Sequence, residues 1–314
     1  MEQQRVIALG FFDGVHLGHG ALLREAVRLA GQRGLKAAAI SFDRHPGTLI
    51  PGRSVKLLSS CAEREALMRR LYGVDEVIFL HFDRARMEQP WQEFVTQTLV
   101  RQYSAAHVIC GESFRFGYRG EGTPELLRRC CAAHGIGVTV IAPVQVEGRT
   151  VSSTYIRQLL AEGDVLKAAR YLGHRHCFTG EVSHGAHLGS SLGFPTANLL
   201  VPEELLAPRF GVYATVVYCA GRAYGAVTNV GVAPTVGARP VRIESNLLDF
   251  AGDLYGRTIR VEFQSFLRAE ARFASLEALK DAIAADAKAA RRCFAEEKMQ
   301  NLAEECDRAA SENS

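Results

Sequence analysis

The sequence predicts two domains of different class: an N-terminal α/β domain on a doubly wound parallel sheet, then a small antiparallel β-barrel closed by a terminal helix. Three observations predict this. Through about residue 143, five short apolar runs alternate with segments of helical period, the pattern of parallel strands whose crossover helices cover both faces of the sheet. Beyond about residue 176 the apolar period falls towards two, as in a half-buried antiparallel sheet. From Leu276 the helical period returns, with Leu279, Ile283 and Ala287 on one stripe.

Taken in order, Val6 to Gly10, Ala37 to Phe42, Glu76 to Phe82, His107 to Glu112 and Val138 to Pro143 read as the five strands. The expected domain spans residues 1–150. Ser152 to Gly173 reads as a helical connector (151–175), with Ile156, Leu159, Leu160, Val165, Ala168 and Leu172 at helical spacing. The second domain (176–300) shows alternating strands at Val212 to Tyr218 and Tyr224 to Val230, joined by Ala220-Gly221-Arg222, and again at Thr258 to Phe263. A tail, 301–314, is expected to fray from Ala309 onward.

Composition narrows the function. A net charge of +3 over 314 residues, without a dense run of Lys or Arg, argues against a nucleic-acid partner. Met1-Glu2-Gln3-Gln4-Arg5 leads straight into a strand, and no apolar run reaches the ~18 residues of a membrane span. A cytoplasmic protein without membrane attachment is expected; the oligomeric state is not legible. The eight cysteines are scattered with no Cys-x-x-Cys pair, which reads as ordinary thiols rather than a disulfide framework.

In a doubly wound sheet, ligands sit beyond the carboxyl ends of the strands, so chemistry should follow strands directly. The first strand ends in Gly10-Phe11-Phe12-Asp13-Gly14-Val15-His16-Leu17-Gly18-His19, with a helix expected to begin near Gly20. Unpaired N–H groups at a helix entrance attract anions, and His16 and His19 can add donors to the same phosphate. Gly18 lets the backbone come close. Surface or metal-binding histidines share this spacing. Ser152, Ser153 and Thr154 open the connector helix with Arg157 one turn later, suited either to capping or to a second phosphate grip. In the second domain, the run from Gly185 through Gly189 to Gly193 precedes Phe194-Pro195-Thr196-Ala197-Asn198. Its N–H groups can wrap phosphates. The Thr196 hydroxyl and Asn198 carbonyl are hard oxygen ligands suited to Mg²⁺, although a tight hairpin would use the same residues. His184 and His187 repeat the His-x-x-His spacing without a further ligand to complete a zinc set, so no metal is assigned to them.

Gly-x-Phe-Asp-Gly-Val-His-x-Gly-His, Ser41-Phe42-Asp43-x-His45-Pro46, Phe114-Arg115-Phe116-Gly117, Ser152-Ser153-Thr154-x-Ile156-Arg157 and Gly193-Phe194-Pro195-Thr196-Ala197-Asn198 occur in this order. Together they closely resemble the bifunctional bacterial riboflavin kinase/FAD synthetase family over about residues 6 to 295. The resemblance implies an N-terminal FMN adenylyltransferase domain of the nucleotidyltransferase superfamily. Gly10, Phe12, Asp13, His16, His19, Ser153, Thr154 and Arg157 would then hold ATP, and His16 and His19 would act in catalysis. It also implies a C-terminal riboflavin kinase domain with Glu244 as the catalytic base, Gly185, Gly189, Thr196 and Asn198 on ATP and its Mg²⁺, and Arg268 on the nucleotide or flavin. An ion pair between Arg268 and Glu270 is the plainer alternative. The expected substrates are riboflavin, FMN and ATP. Four positions depart from the family pattern: Arg44 and Ser113 in the first domain, Ser190 and Asn246 in the second. Arg44 and Ser113 leave open a riboflavin kinase with weak or lost adenylylation. A nucleotidyltransferase for another phosphate ester would lack the second domain's motifs, and a flavin sensor without catalysis would not need Glu244 or Thr196.

Overall fold

The computed structural model describes residues 3–49, 52, 55–183, 196–232 and 240–312. The chain divides into two compact units, Met1–Ile156 with Arg170–Gly173 and Arg157–Ala169 with His174–Ser314.

In the first unit, β1 (Arg5–Leu9), β2 (Lys36–Phe42), β3 (Glu76–Leu80), β4 (Ala105–Gly111) and β5 (Gly137–Ile141) form a parallel sheet in the order β3-β2-β1-β4-β5. Strand order reverses between β1 and β4, and a sheet of this type opens its crevice there. The alternation of β1 shows why the sheet is covered twice. Val6 and Ala8 pack against Leu22, Leu23 and Ala26 of α1 (Leu17–Arg33) and Leu67 and Met68 of α2 (Cys61–Tyr72). Ile7 and Leu9 pack on the other face against Phe94, Val95, Leu99 and Leu127. Every residue of β1 from Val6 to Leu9 is at most 2% exposed, so a one-residue slip would exchange two apolar sets without exposing either. Helix ends follow local rules. Ser60 caps α2 by accepting from Glu63 N–H at 3.1 Å, and Gly34 and Gly73 end α1 and α2 in the left-handed region. Helix α1 begins at Leu17, three residues before the expected start, because the His16 ring caps it.

The first unit also holds α3 (Arg84–Glu88), α4 (Trp91–Glu93), α5 (Pro124–Ala132) and a short hairpin of β6 (Gln145–Val146) with β7 (Arg149–Thr150). The connector is two helices, α6 (Ser153–Glu162) and α7 (Val165–Leu172), interrupted at Gly163 with φ 87°; the division between units falls within both.

The second unit is a six-stranded antiparallel sheet, β8 (Cys177–Glu181), β13 (Thr258–Arg268), β10 (Gly211–Cys219), β11 (Arg222–Val232), β12 (Val241–Leu247) and β9 (Ala197–Leu200), adjacent in that order. It closes almost fully: Ser183 N–H donates to Asn198 O at 2.9 Å just beyond the end of β8. Ala220 and Gly221, both at positive φ (48° and 75°), make the β10–β11 turn that the sequence places there. The barrel interior holds Tyr213, Phe263 and a hydroxyl ladder of Thr215, Thr228 and Ser245, all fully buried. Helix α8 (Leu276–Glu312), which runs past Ala309 to the last described residue, covers the outer face; its Ala290 packs on Val212, Ala214 and Val227.

Candidate active sites

The turn from β1 into α1 is strained. Phe12 and Val15 adopt positive φ (56° and 42°), alongside Gly14 at 73°. Such backbone costs roughly 1–3 kcal/mol per non-glycine residue and persists only where its surroundings impose it. Here the surroundings are identifiable. The fully buried Asp13 carboxylate accepts from the N–H groups of Leu58 (2.8 Å) and Ser59 (3.2 Å), Gly14 N–H donates to Ser59 Oγ (2.9 Å), and Ser153 Oγ donates to Asp13 O (3.1 Å). Two residues expected on ATP, Asp13 and Ser153, are therefore engaged in shaping the turn. Gly10 is needed for space, since a Cβ there would lie 3.0 Å from the Phe12 ring.

This turn delivers the two histidines. His16 caps α1, its Nδ1 accepting from His19 N–H at 3.2 Å, and the two rings stack with centroids 3.5 Å apart. Because Nδ1 is the acceptor, the neutral His16 ring carries its proton on Nε2. At Gly18 a Cβ would lie 3.1 Å from the His16 ring, so the glycine makes room for the histidine as well as for close backbone approach. His19 is partly exposed, but its Nδ1 is buried with no partner among the described residues. Burial first, then His16 and the nearby Arg64, hold its pKa well below the ordinary histidine value.

Arg64, which the sequence analysis does not single out, supports the turn from behind. It is fully buried at the carboxyl ends of β1 and β2, where Nη1 donates to Phe11 O (2.9 Å), Ser41 Oγ (2.9 Å) and Phe42 O (3.0 Å) and Nη2 to Cys61 Sγ (3.2 Å). It also lies over the rings of Phe11 and Phe79. Its signal was available: on α2 it stands three and four residues before Leu67 and Met68, a charge on the apolar stripe.

Ser152 caps α6, accepting from Tyr155 N–H at 3.3 Å. Thr154 is exposed in its first turn. Arg157 falls in the second unit by the division of the chain.

A cavity of about 430 Å³ opens at the ends of β2, β3 and β4, walled by Phe42, Phe82, Phe94, Phe114 and Phe116 and rimmed by Arg115. It connects to the histidine turn through consecutive aromatic contacts, Phe11 against His45 of the cavity wall and Phe12 against His19. Arg44 and Ser113, the first domain's two departures from the family pattern, are both exposed and neither lines it.

In the second unit, antiparallel register brings the predicted residues together: Glu244 stands opposite Asn198 on one side and Asn229 on the other. They share the outer face, where a cavity of about 380 Å³ lies under α8, lined by Thr196, Asn229, Glu244, Asn246 and Arg268 against Val227, Phe273 and Ile283. Burial pushes the Glu244 pKa up, Arg242 opposes this and Glu270 adds to it. Asn198 is buried; its Nδ2 donates to Thr196 O (3.2 Å), and its Oδ1 has no partner among the described residues. An orphaned, buried amide oxygen beside a threonine hydroxyl fits a hard cation. Arg268 does not pair with Glu270. Its partner is Asp286 of α8, with Nε–Oδ1 at 2.9 Å and Nη2–Oδ2 at 2.7 Å. Gly185, Gly189, Ser190, His184 and His187 lie outside the described residues.

A strained turn presenting imidazoles on a doubly wound sheet in one unit, and a barrel carrying a carboxylate of raised pKa in the other, define the class: a two-domain phosphate-handling transferase. Residues 1–155 match the FAD synthetase family model and residues 172–294 the riboflavin kinase model. Proteins described as bifunctional riboflavin kinase/FMN adenylyltransferase are similar along the chain: 34% identity in Listeria monocytogenes, covering 93% of each chain, and 38% in Pseudomonas fluorescens, covering 91% of this chain and 92% of the relative. The Escherichia coli K12 relative is 36% identical over 92% of both. The chain belongs to the bifunctional riboflavin kinase/FMN adenylyltransferase family. A crystal structure described as a macrolide-efflux protein from Streptococcus pneumoniae also superposes, with TM-score 0.83, 31% identity, and 93% and 95% of the two chains covered. Among the described residues here, no helix is long and apolar enough to cross a membrane.

Proposed function

We propose that the second domain phosphorylates riboflavin to FMN and the first adenylylates FMN to FAD with release of pyrophosphate, ATP serving both. The observation that carries the kinase assignment is the register pair Glu244–Asn198: a carboxylate with a raised pKa faces an amide whose free oxygen suits a cation. The terminal ribityl hydroxyl attacks the γ-phosphorus of ATP, its proton passes to Glu244 as the new P–O bond forms, and ADP leaves. An alcohol is far too weak an acid to ionise beforehand against a Glu of reference pKa about 4.3. Proton transfer is therefore late, and a raised carboxylate pKa narrows the mismatch. Thr196 Oγ1 and Asn198 Oδ1 would hold Mg²⁺, which when bound neutralises charge on the ATP phosphates. Gly185 and Gly189 are assigned to the nucleotide by their motif.

In the first domain, an FMN phosphate oxygen attacks the α-phosphorus of ATP and the bond to pyrophosphate breaks. His16 Nε2–H, an N–H of His19 and the first amides of α1 supply donors where charge develops. Phe12 and Gly10 shape the turn, Asp13 and Ser153 hold it, and Thr154 extends the grip from the start of α6; Arg157 is assigned to ATP by its motif alone. The aromatic cavity supplies a face for the isoalloxazine ring. Both reactions are placed in the cytoplasm with small-molecule partners alone; the scattered charge offers no polyanion footprint.

The test is chromatography of flavins from purified protein with ATP and Mg²⁺. Riboflavin should give FMN and then FAD, and FMN supplied directly should give FAD and pyrophosphate. No FAD from FMN would leave a kinase alone; no product from either substrate would end the enzymatic reading.

A further inference from the structure

Asp286 lies on α8, and side-chain chemistry alone gives no reason for a carboxylate there. It is 6% exposed and sits on the stripe that Leu279, Ile283 and Ala290 turn towards the barrel. A buried carboxylate is costly unless a partner takes its charge. That partner is Arg268, the last residue of β13, held through Nε and Nη2 in a two-point grip, while Nη1 donates to Ala269 O at 3.2 Å. Both side chains line the same cavity as Glu244.

The guanidinium has five N–H groups in a fixed plane. Two go to Asp286 and one to Ala269, and the other two, one on each terminal nitrogen, have no partner among the described residues. A lone arginine at the end of a strand would sample many rotamers. With one edge locked to a carboxylate fixed in a helix, the other edge keeps a set direction.

We propose that Asp286 is a positioning residue for the kinase reaction: it fixes Arg268 so that the free edge of the guanidinium receives an acceptor edge of the flavin ring. This rests on the kinase reading above. The walls favour the ring over a phosphate, since Val212, Val227, Phe273, Leu279 and Ile283 give an apolar slot beside the polar edge. A flat heteroaromatic with carbonyl oxygens on one edge suits both surfaces. The same pair also pins α8 to the sheet, so structural and positioning roles must be separated.

Steady-state kinetics of FMN formation on Asp286→Asn, Arg268→Gln and the double variant make that separation, with FMN-to-FAD conversion as an internal control. Each single change should raise KM for riboflavin about tenfold, the loss of one charge-assisted contact of about 1.4 kcal/mol, with KM for ATP unchanged. The double variant should be no worse than either single one. Multiplying effects would show that Asp286 does not act through Arg268. A rise confined to KM for ATP would reassign the free edge to phosphate, and unchanged KM values with a lowered Tm would reduce the pair to a clamp. If Asp286→Asn abolishes kinase folding, the charge-reversed pair Arg268→Asp/Asp286→Arg decides. Recovery of Tm with a high riboflavin KM supports positioning, and recovery of both overturns it. Wild-type protein that makes no FMN would fail the kinase reading itself, a different result from any of these.

Discussion

The two sites solve the problem of a nucleotide's negative charge in opposite ways. In the first domain charge is met by neutral donors. Burial first, then His16 and Arg64, hold the His19 pKa well below the ordinary histidine value, and the cation itself, Arg64, is buried and occupied by backbone oxygens. The second domain offers acceptors instead: Glu244 and Thr196 line the cavity, and Asn198, opposite Glu244 in register, has a buried Oδ1 without a partner among the described residues. The first arrangement suits attack by a phosphate that is already ionised and needs no base. The second suits an alcohol, which must lose a proton. Each site is the wrong instrument for the other's nucleophile, and that is a physical reason for one chain to carry two.

The largest effects should come from breaking each site alone. Glu244→Ala should lower kinase turnover by about 10²–10⁴-fold, the range for a general base, and leave FMN adenylylation untouched. His19→Ala should lower adenylylation by about 10²–10³-fold, as loss of a preorganised donor does, and spare the kinase. Flavin chromatography with riboflavin or FMN as the starting substrate reads both. Loss of both activities from either change, in protein that keeps its Tm, would mean that the sites are not independent.

A smaller effect, on stability, tests the sealed cation. Arg64→Met removes the donor of Phe42 O and the one that Ser41 Oγ accepts from, and leaves Phe11 O with Ser41 Oγ–H alone; a buried group left unpaired costs about 1–3 kcal/mol. Urea unfolding should show the first domain weakened by roughly 3–5 kcal/mol, in line with removal of one member of a buried charged network. Adenylylation should fall with it because the strained turn loses its support. If the domain stays as stable as wild type, Phe12 and Val15 are held in their conformation by something else.

The sequence carried the sheet, the barrel and the motif residues because each leaves a local trace: a period, a turn dipeptide, a cap. What it did not carry was partnership across elements. Strands β8, β9 and β12 leave little trace, since four to seven residues give too short an alternation and polar Asn198 is the second of the four residues of β9. Asp13 and Ser153 were assigned to ATP from their motifs, and only three-dimensional contacts show that both tie down the turn. Arg64 and Asp286 share one overlooked signature: a charged residue on the apolar stripe of an amphipathic helix. Such a residue must find an opposite charge or a set of carbonyls inside the fold, so it can be flagged from sequence although its partner cannot. The Arg268 partner was sought two residues away at Glu270 and found eighteen away at Asp286, because a β-strand turns neighbours at even spacing to one face without ensuring that long side chains meet.

The smallest effect sharpens the contrast between the sites most directly. Glu270 is exposed at the cavity edge, and its charge is one of the influences that raise the Glu244 pKa, after burial and against Arg242. A base works only when deprotonated, so kinase kcat/KM should fall on the acid side as Glu244 takes up a proton, with the midpoint above that of an ordinary glutamate. Glu270→Gln removes a neighbouring negative charge and eases ionisation of Glu244. The acid limb should therefore move to lower pH with the plateau little changed, and by a modest amount, because solvent screens an exposed charge. The FMN adenylylation profile of the same variant should not move, since no carboxylate acts as base there. A shift to higher pH would make Glu270 a group that stabilises the ionised base through bound solvent, and a matching shift in adenylylation would place the titrating group outside the barrel.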